Sequence, residues 1–93
     1  MILSSDDVMR IVRRHRAPNG CPWDREQTHQ SLKNALLEES YELIDAIDED
    51  DDAHICEEMG DVLLQFALHA AIAEEQSAFT ARDACTDLVE KLI

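Results

Sequence analysis

Two acidic pairs with the same spacing constrain how this chain folds: Glu39 with Glu42, and Glu58 with Asp61. The members of each pair are three positions apart, so both carboxylates lie on one face of a helix. The two pairs are equally distant from an Asp-rich stretch centred on Asp50. If that stretch is the turn of an antiparallel helical hairpin, all four carboxylates meet at one height, roughly 14 Å from the turn. The spacing therefore predicts a helical hairpin with an acidic cluster between its helices.

The predicted acidic cluster has the chemistry of a metal site. Four carboxylates at one place repel one another unless a cation lies among them. Neither pair shares its side of a helix with Lys or Arg at helical spacing, as a salt-bridged surface would. Hard divalent cations prefer oxygen ligands, whereas zinc sites use Cys or His. We therefore expect Mg²⁺ as the cofactor, with Mn²⁺ as a substitute ion.

Two alternatives to this metal site stay open at the level of sequence. Pairs of acidic residues three positions apart are common on solvated helix faces, so either pair alone is compatible with an ordinary surface. A Glu-x-x-His pattern occurs at Glu26 and His29. Di-iron bundles use that pattern on two core helices, but here it occurs once, at a helix start beside a loop.

Composition places the chain among folded, helical proteins. The 93 residues suit one domain with a single core, so residues 1–93 are taken as one unit. Only two Gly and two Pro are present, which favours long uninterrupted helices. The formal charge of −13 opposes attraction to nucleic acid or an anionic membrane. Three Cys without CxxC spacing, no leader pattern and no apolar stretch of ~18 residues predict a cytoplasmic protein.

Hydrophobic periodicity predicts an all-α fold, a four-helix bundle completed by homo-oligomerisation. The first helix begins near Ser4 or Ser5 and is followed by a turn-rich loop over residues 17–24. The second helix is capped by Thr28 or Ser31 and ends near residue 48. The third helix spans roughly residues 53–75. After a connector, Thr80 and Asp83 resemble a capping box that opens the fourth helix.

The same periodicity predicts which side chains form the core. The expected core stripes are Leu32, Leu36, Leu37, Ser40, Leu43, Ile44 and Ile47 in the second helix, Ile55, Met59, Val62, Leu63, Phe66, Ala67 and Ala70 in the third, and Ala84, Leu88 and Leu92 in the fourth. Leu64, Leu68 and Ile72 fall outside these stripes, and a single four-helix domain would leave them exposed. We therefore expect a homodimer or a dimer of dimers in which a partner covers them.

Three segments of the chain read NGCPWDREQTH at residues 19–29, LEESYE at residues 37–42 and EEMGD at residues 57–61. Taken together, they resemble the MazG family of nucleoside triphosphate pyrophosphohydrolases. The resemblance implies an all-α fold shared with dimeric dUTPases and phosphoribosyl-ATP pyrophosphatases. It also implies hydrolysis of an NTP or dNTP to the monophosphate and pyrophosphate. The family's magnesium ligands correspond to Glu39, Glu42, Glu58 and Asp61.

Other residues near these motifs are candidates for the reaction. Glu38 adjoins the acidic cluster and is a candidate water-activating base or a group that orients the metal ligands. Lys33 and Arg25 are candidates for contacts to the phosphates. Trp23, the only tryptophan, and Gln27 are candidates for contacts to the base or sugar. The sequence is equally compatible with Trp23 packing the loop onto the bundle. It is also equally compatible with Lys33 being an ordinary surface lysine.

Two functions compete with a hydrolase that acts in nucleotide-pool sanitation or turnover. One is a catalytically weak or silent oligomerisation or regulatory module of the same fold, which binds nucleotide or a protein partner. The other is an acidic mimic of nucleic acid, which would spread its charge over one surface. Two focused acidic pairs favour the hydrolase, and pyrophosphate release from a panel of nucleotides separates it from the silent module.

Overall fold

The computed structural model describes residues 4–93, and all regular secondary structure in that range is helical. In chain order they are α1 (Ser5–Arg16), α2 (Pro22–Glu26), α3 (Lys33–Asp48), α4 (Asp52–Glu75) and α5 (Ala81–Leu92). The predicted all-α fold is confirmed, with the four long helices in the predicted order and α2 as an addition. No helix in this part of the chain has both the length and the hydropathy needed to cross a lipid bilayer.

The short helix α2 lies largely within the segment predicted to be a loop. Pro22 occupies its first position, where a missing N–H costs no intrahelical hydrogen bond. Asp24 lies in the first turn, where a negative side chain interacts favourably with the helix dipole. The loop prediction was therefore wrong from residue 22 onward, because the Pro and Gly signals mark the turn that precedes this helix.

The predicted cap of the second long helix was also wrong, because α3 begins only at Lys33. Thr28 and Ser31 instead close the turn before it. The Ser31 N–H donates to Thr28 Oγ1 at 3.1 Å, and the Thr28 N–H donates to Ser31 Oγ at 2.8 Å. The capping box of α5 is confirmed, since the Asp83 N–H donates to Thr80 Oγ1 at 3.2 Å and the Thr80 N–H to Asp83 Oδ2 at 2.9 Å.

A turn of three residues joins α3 to α4 and makes them an antiparallel hairpin. Asp50 has a φ of 56°, the left-handed conformation that reverses the chain. Asp51 then caps α4 by accepting a hydrogen bond from the His54 N–H at 3.3 Å. The hairpin turn therefore lies where the acidic pairs predicted it.

The core lies mainly where α1 packs against the C-terminal half of α4. Met9 and Val12 of α1 contact an apolar cluster to which α4 contributes most. Leu68 and Ile72 belong to that cluster and are only 5% and 2% exposed. The prediction that a partner subunit must cover Leu68 and Ile72 was therefore wrong, because α1 of the same chain covers them.

The stripes predicted to form the core are largely uncovered within the chain. Met59 and Phe66 of α4 are 58% and 39% exposed. The other predicted core residues with exposed side chains are Leu36, Leu37, Ile44, Ile47, Leu63, Leu88 and Leu92. The side of α3 that faces α4 carries Ala46 and the acidic side chains of the hairpin, so the apolar stripe of α3 points elsewhere.

Candidate metal centre and adjoining cavity

Four carboxylates of the hairpin converge on one place. Glu39 and Glu42 of α3 and Glu58 and Asp61 of α4 each offer one oxygen, and these oxygens lie within 4.8 Å of one another. The convergence predicted from the spacing is present in the structure. No other group of three or more His, Cys, Asp or Glu side chains within residues 4–93 has such an arrangement, so the pattern at Glu26 forms no comparable site.

Burial makes two of these carboxylates costly to ionise. Burial, and then the charges of Glu42 and the α4 carboxylates, raises the pKa of Glu39. Burial, and then the charges of Glu42 and Asp61, raises the pKa of Glu58. The Oε2 atoms of Glu39 and Glu58 are buried and accept no hydrogen bond from the described part of the chain. Unpartnered buried oxygens beside like charges fit a hard divalent cation, whose preferred ligands are oxygens.

The other oxygen of Glu58 is held by His54, one turn earlier on α4. His54 Nε2 lies 3.2 Å from Glu58 Oε1, and His54 Nδ1 lies 2.8 Å from Glu49 Oε2. The contact with Glu49, followed by the charges of Glu49 and Glu58, raises the pKa of His54. Carboxylates that bind metal ions are usually held in position by a contact of this kind with a neighbouring side chain. His54 was not among the candidate residues of the sequence analysis, although its spacing of four from Glu58 was a usable signal.

A cavity of about 330 Å³ has lining residues that lie one helical turn from the acidic cluster. Its lining comes from α1, α2, α3, α4 and the turn before α3: Ile11, Val12, His15, Trp23, Asp24, Leu32, Ala35, Leu64, Gln65 and Leu68. Ala35 is one turn before Glu39, and Gln65 is one turn after Asp61. Because the two helices are antiparallel, Ala35 and Gln65 both lie farther from the hairpin turn than the carboxylates do, by about 6 Å along the helix axes.

Two lining residues give this cavity its chemical character. Trp23 contributes to the wall, although its side chain is 62% exposed. Gln65 is 6% exposed, and its Oε1 is buried without a hydrogen-bond partner in residues 4–93. The sequence interpretation named Trp23 but missed Gln65. The signal for Gln65 was its position four residues after Asp61 on the same face of α4.

The family model of the MazG nucleotide pyrophosphohydrolase domain matches residues 27–93. The chain belongs to this family. The MazG match covers both acidic pairs and Gln65, and it begins after Trp23. The family resemblance inferred from the three sequence segments is therefore confirmed.

Curated proteins from bacteria are similar to nearly the whole of this MazG chain. The nucleoside triphosphate pyrophosphohydrolase/pyrophosphatase MazG of Thermotoga maritima is 54% identical over 88 residues, which are 95% of this chain and 34% of that protein. The uncharacterized protein YabN of Bacillus subtilis is 55% identical over 83 residues, 89% of this chain and 17% of that protein. The nucleoside triphosphate pyrophosphohydrolase of Escherichia coli K12 is 41% identical over 88 residues, 94% of this chain and 34% of that protein. The chain spans about a third or less of the length of these relatives.

The segment that carries Trp23 in this MazG domain is held by two residues of α1. The Arg16 guanidinium donates through Nη1 to the backbone oxygens of Asp24 and Gln27. His15 Nδ1 lies 2.9 Å from Asp24 Oδ2. Arg16 is itself shielded from water, with a side chain that is 6% exposed. Both residues therefore determine where α2 presents Trp23 to the cavity.

The remaining predicted site residues lie outside the acidic cluster of this MazG domain. Glu38 and Lys33 are exposed on α3, with Lys33 at the first position of the helix. Arg25 donates through Nη1 to the Pro18 backbone oxygen at 2.6 Å. Gln27 donates through Nε2 to the Trp23 backbone oxygen at 3.0 Å, and its Oε1 accepts a hydrogen bond from a serine hydroxyl. Arg25 and Gln27 therefore stabilise their own segment.

Proposed function

We propose that this chain hydrolyses nucleoside triphosphates, as NTP or dNTP, to the nucleoside monophosphate and pyrophosphate. One observation carries the proposal: four carboxylates converge beside a cavity, and two of their oxygens are buried and unpartnered within residues 4–93. The Thermotoga maritima and Escherichia coli relatives are named as nucleoside triphosphate pyrophosphohydrolases, which supports the same activity. A role in nucleotide-pool sanitation or turnover follows from this reaction.

Glu39, Glu42, Glu58 and Asp61 are the proposed ligands of Mg²⁺, with Mn²⁺ as a substitute. When bound, the ion neutralises phosphate charge and lowers the pKa of the attacking water. His54 holds Glu58 in place through the contact of 3.2 Å, so the α4 half of the site is oriented before substrate arrives.

In the proposed reaction, water attacks the α-phosphorus in line with the leaving group. The bond between the α-phosphorus and the oxygen that bridges to the β-phosphorus breaks, and that oxygen leaves with pyrophosphate. Glu38 is the proposed base for the water proton, since it is next to Glu39 in the chain and its side chain is exposed to solvent. A base of this kind contributes typically 10²–10⁴-fold to such a reaction, by rough estimate.

The adjoining cavity is the proposed site for the nucleoside end of the substrate. Its volume of about 330 Å³ suits a base and part of a sugar, while the triphosphate extends toward the carboxylates. Trp23 supplies a face on which a base stacks. Lys33, about 9 Å before Glu39 along the helix axis, is the proposed contact for a phosphate. Arg25 and Gln27 reach the nucleotide only by giving up their present hydrogen bonds, so their contribution is proposed to be smaller.

We propose a second copy of this chain as the partner that covers the exposed stripes of the hairpin. Leu36, Leu37, Ile44 and Ile47 follow one side of α3, and an apolar patch of α4 that includes Met59 and Phe66 adjoins Leu43 of α3. Stripes on two antiparallel helices are self-complementary about a two-fold axis, which produces a four-helix arrangement. Light scattering is expected to give at least twice the chain mass of 10.6 kDa.

The matched variants for this interface are Met59→Glu, in the apolar patch, and Glu57→Ala, which lies on another side of α4. Met59→Glu is expected to shift the mass toward that of a single chain, whereas Glu57→Ala leaves it unchanged. A wild-type mass equal to that of one chain under the same conditions would contradict the proposed dimer.

The activity is tested by pyrophosphate release from a panel of NTPs and dNTPs, with Mg²⁺ and with a chelator. Release is expected only with Mg²⁺, and Glu42→Gln is expected to abolish it. Asp45→Asn is the matched control, because Asp45 is an exposed acidic residue of the same helix outside the cluster. No release from any nucleotide would instead favour the catalytically silent module.

A further inference from the structure

Gln65 is the buried polar side chain of the cavity wall. The other polar lining residues, His15 and Asp24, contact each other at 2.9 Å, so their hydrogen-bonding capacity is partly used. The Oε1 of Gln65 is buried and has no hydrogen-bond partner within the described residues. We propose that Gln65 determines which nucleobase the chain accepts, an inference that rests on the proposed function.

A structural role does not account for an amide at this position. An amide that is buried without a hydrogen-bond partner is less favourable than an apolar side chain of the same size. The neighbouring lining residues Leu32, Leu64 and Leu68 would accommodate such an apolar side chain. Gln65 therefore has a hydrogen-bonding capacity that the described chain does not use, and a ligand in the cavity can use it.

The amide and Trp23 complement each other as contacts for a base. Stacking on an aromatic ring tolerates every base, because every base has a π-face. An amide presents a donor and an acceptor side by side, and it pairs with the edge of a base in a geometry that distinguishes one base from another. Trp23 and Gln65 line the same cavity. A base that stacks on Trp23 is thus held by one wall and distinguished by another.

The position of Gln65 also links base recognition to the reacting phosphate. Gln65 follows Asp61 by four residues on the same face of α4, so the two side chains are about 6 Å apart along the helix. Both therefore belong to one continuous helix, which keeps their separation constant. A base that satisfies the amide places the attached sugar and phosphates in a reproducible position relative to the carboxylates.

The test measures binding of AMP, GMP, CMP and UMP by the change in Trp23 fluorescence, in the presence of Mg²⁺. Trp23 is the only tryptophan, so the signal reports on the cavity wall directly. Wild type is expected to bind its preferred monophosphate about ten-fold more tightly than the weakest one. Gln65→Met, which keeps the length of the side chain and removes the amide, is expected to reduce that ratio to about three-fold or less.

The control variant is Gln76→Met, at the exposed end of α4, which is expected to keep the wild-type ratio. Gln65→Met is expected to melt at the wild-type temperature or above it, because it removes an unpartnered buried amide. Four monophosphates that wild type binds equally, or that Gln65→Met weakens by one common factor, would overturn the proposal. Gln65→Leu is the second variant, and loss of the helical fold in both would show that the amide supports the fold instead.

Monophosphate binding does not require hydrolysis, so this experiment separates the two proposals. Base discrimination that depends on Gln65, without pyrophosphate release from any nucleotide, would support base selection and reject the hydrolase. Pyrophosphate release with a base preference that Gln65→Met leaves unchanged would support the hydrolase and reject this role of Gln65.

Discussion

The guanidinium of Arg16 in α1 forms a bidentate ion pair with the carboxylate of Glu75 in α4. Arg16 Nε lies 2.6 Å from Glu75 Oε2, and Arg16 Nη2 lies 3.0 Å from Glu75 Oε1. The remaining nitrogen, Nη1, donates to the backbone oxygens of Asp24 and Gln27. One cation that is largely shielded from water therefore connects α1, α4 and the segment that carries Trp23.

Replacing this cation is expected to destabilise the domain. Lys cannot reproduce the planar fork of Arg, so Arg16→Lys leaves at least two acceptors unsatisfied and lowers the free energy of unfolding by about 2 kcal/mol. Urea denaturation followed by circular dichroism measures this loss. Arg10→Lys is the control, because Arg10 is 57% exposed and pairs with Asp7 on the surface, and its effect is expected to stay within about 0.5 kcal/mol. Similar losses for the two variants would contradict the proposed role of Arg16.

The acidic cluster is expected to reduce stability when no divalent ion is present. Glu58→Gln removes one of four converging charges, so the melting temperature in chelator is expected to rise relative to wild type. Mg²⁺ at about 100 times its Kd is expected to stabilise wild type by roughly 2.7 kcal/mol and to have little effect on the variant. Glu57→Gln, at the neighbouring exposed position, is expected to behave like wild type in both measurements. A wild-type melting temperature that does not change when Mg²⁺ is added would argue against a metal centre.

Glu38 is expected to affect turnover without affecting metal binding. Its side chain is exposed and lies outside the group of four converging carboxylates. Glu38→Gln is expected to reduce kcat at least about 100-fold, the lower end of what a general base contributes. The rise in melting temperature caused by Mg²⁺ is expected to persist in this variant. An unchanged kcat would remove Glu38 from the mechanism, and loss of the Mg²⁺ effect would make it part of the metal site.

The ion pair between Arg13 and Glu74 gives stability a defined pH dependence. Arg13 donates two hydrogen bonds of 2.8 Å to Glu74, and these hold the pKa of Glu74 below its ordinary value of 4.5. The pair therefore stabilises the fold above pH 4.5, and this stability is lost as the pH falls through the lowered pKa. Because Arg13 is half exposed, Arg13→Gln is expected to cost at most about 1 kcal/mol at pH 7.

The unfolding free energies of wild type and Arg13→Gln are then expected to converge in acid. Urea titrations at a series of pH values between 7 and about 3 measure the difference, which shrinks as Glu74 becomes protonated. Arg14→Gln, at an exposed position of the same helix, is the control for the loss of one surface charge. A difference that stays constant over this pH range would show that the effect of Arg13 does not depend on the charge of Glu74.

The hairpin and its acidic cluster could be predicted because both depend on local rules. A short turn keeps residues at equal distances from it side by side, so the positions of Glu39 and Asp61 were sufficient to place them together. The capping box at Thr80 is a similar short-range signal. Both features are decided by a few neighbouring residues, and the structure contains both.

The core could not be predicted in the same way, because α4 carries apolar residues on more than one face. Periodicity identifies such faces but not which one α1 will cover. Leu68 was therefore expected to need a partner subunit to cover it, and Phe66 was expected to lie in the core of the chain. Gln65 was missed for the same reason. Its burial and its unpartnered oxygen depend on helices that are distant in the chain, whereas its sequence neighbours only place it on a face of α4.

The seam between α3 and α4 has a consequence for engineering this domain. Its central side chains are like charges where apolar packing would hold the two helices together more firmly. Apolar residues at these four positions would therefore make the hairpin harder to melt and would dismantle the proposed cation site in the same step. A tougher hairpin and an intact acidic cluster are alternatives at these positions.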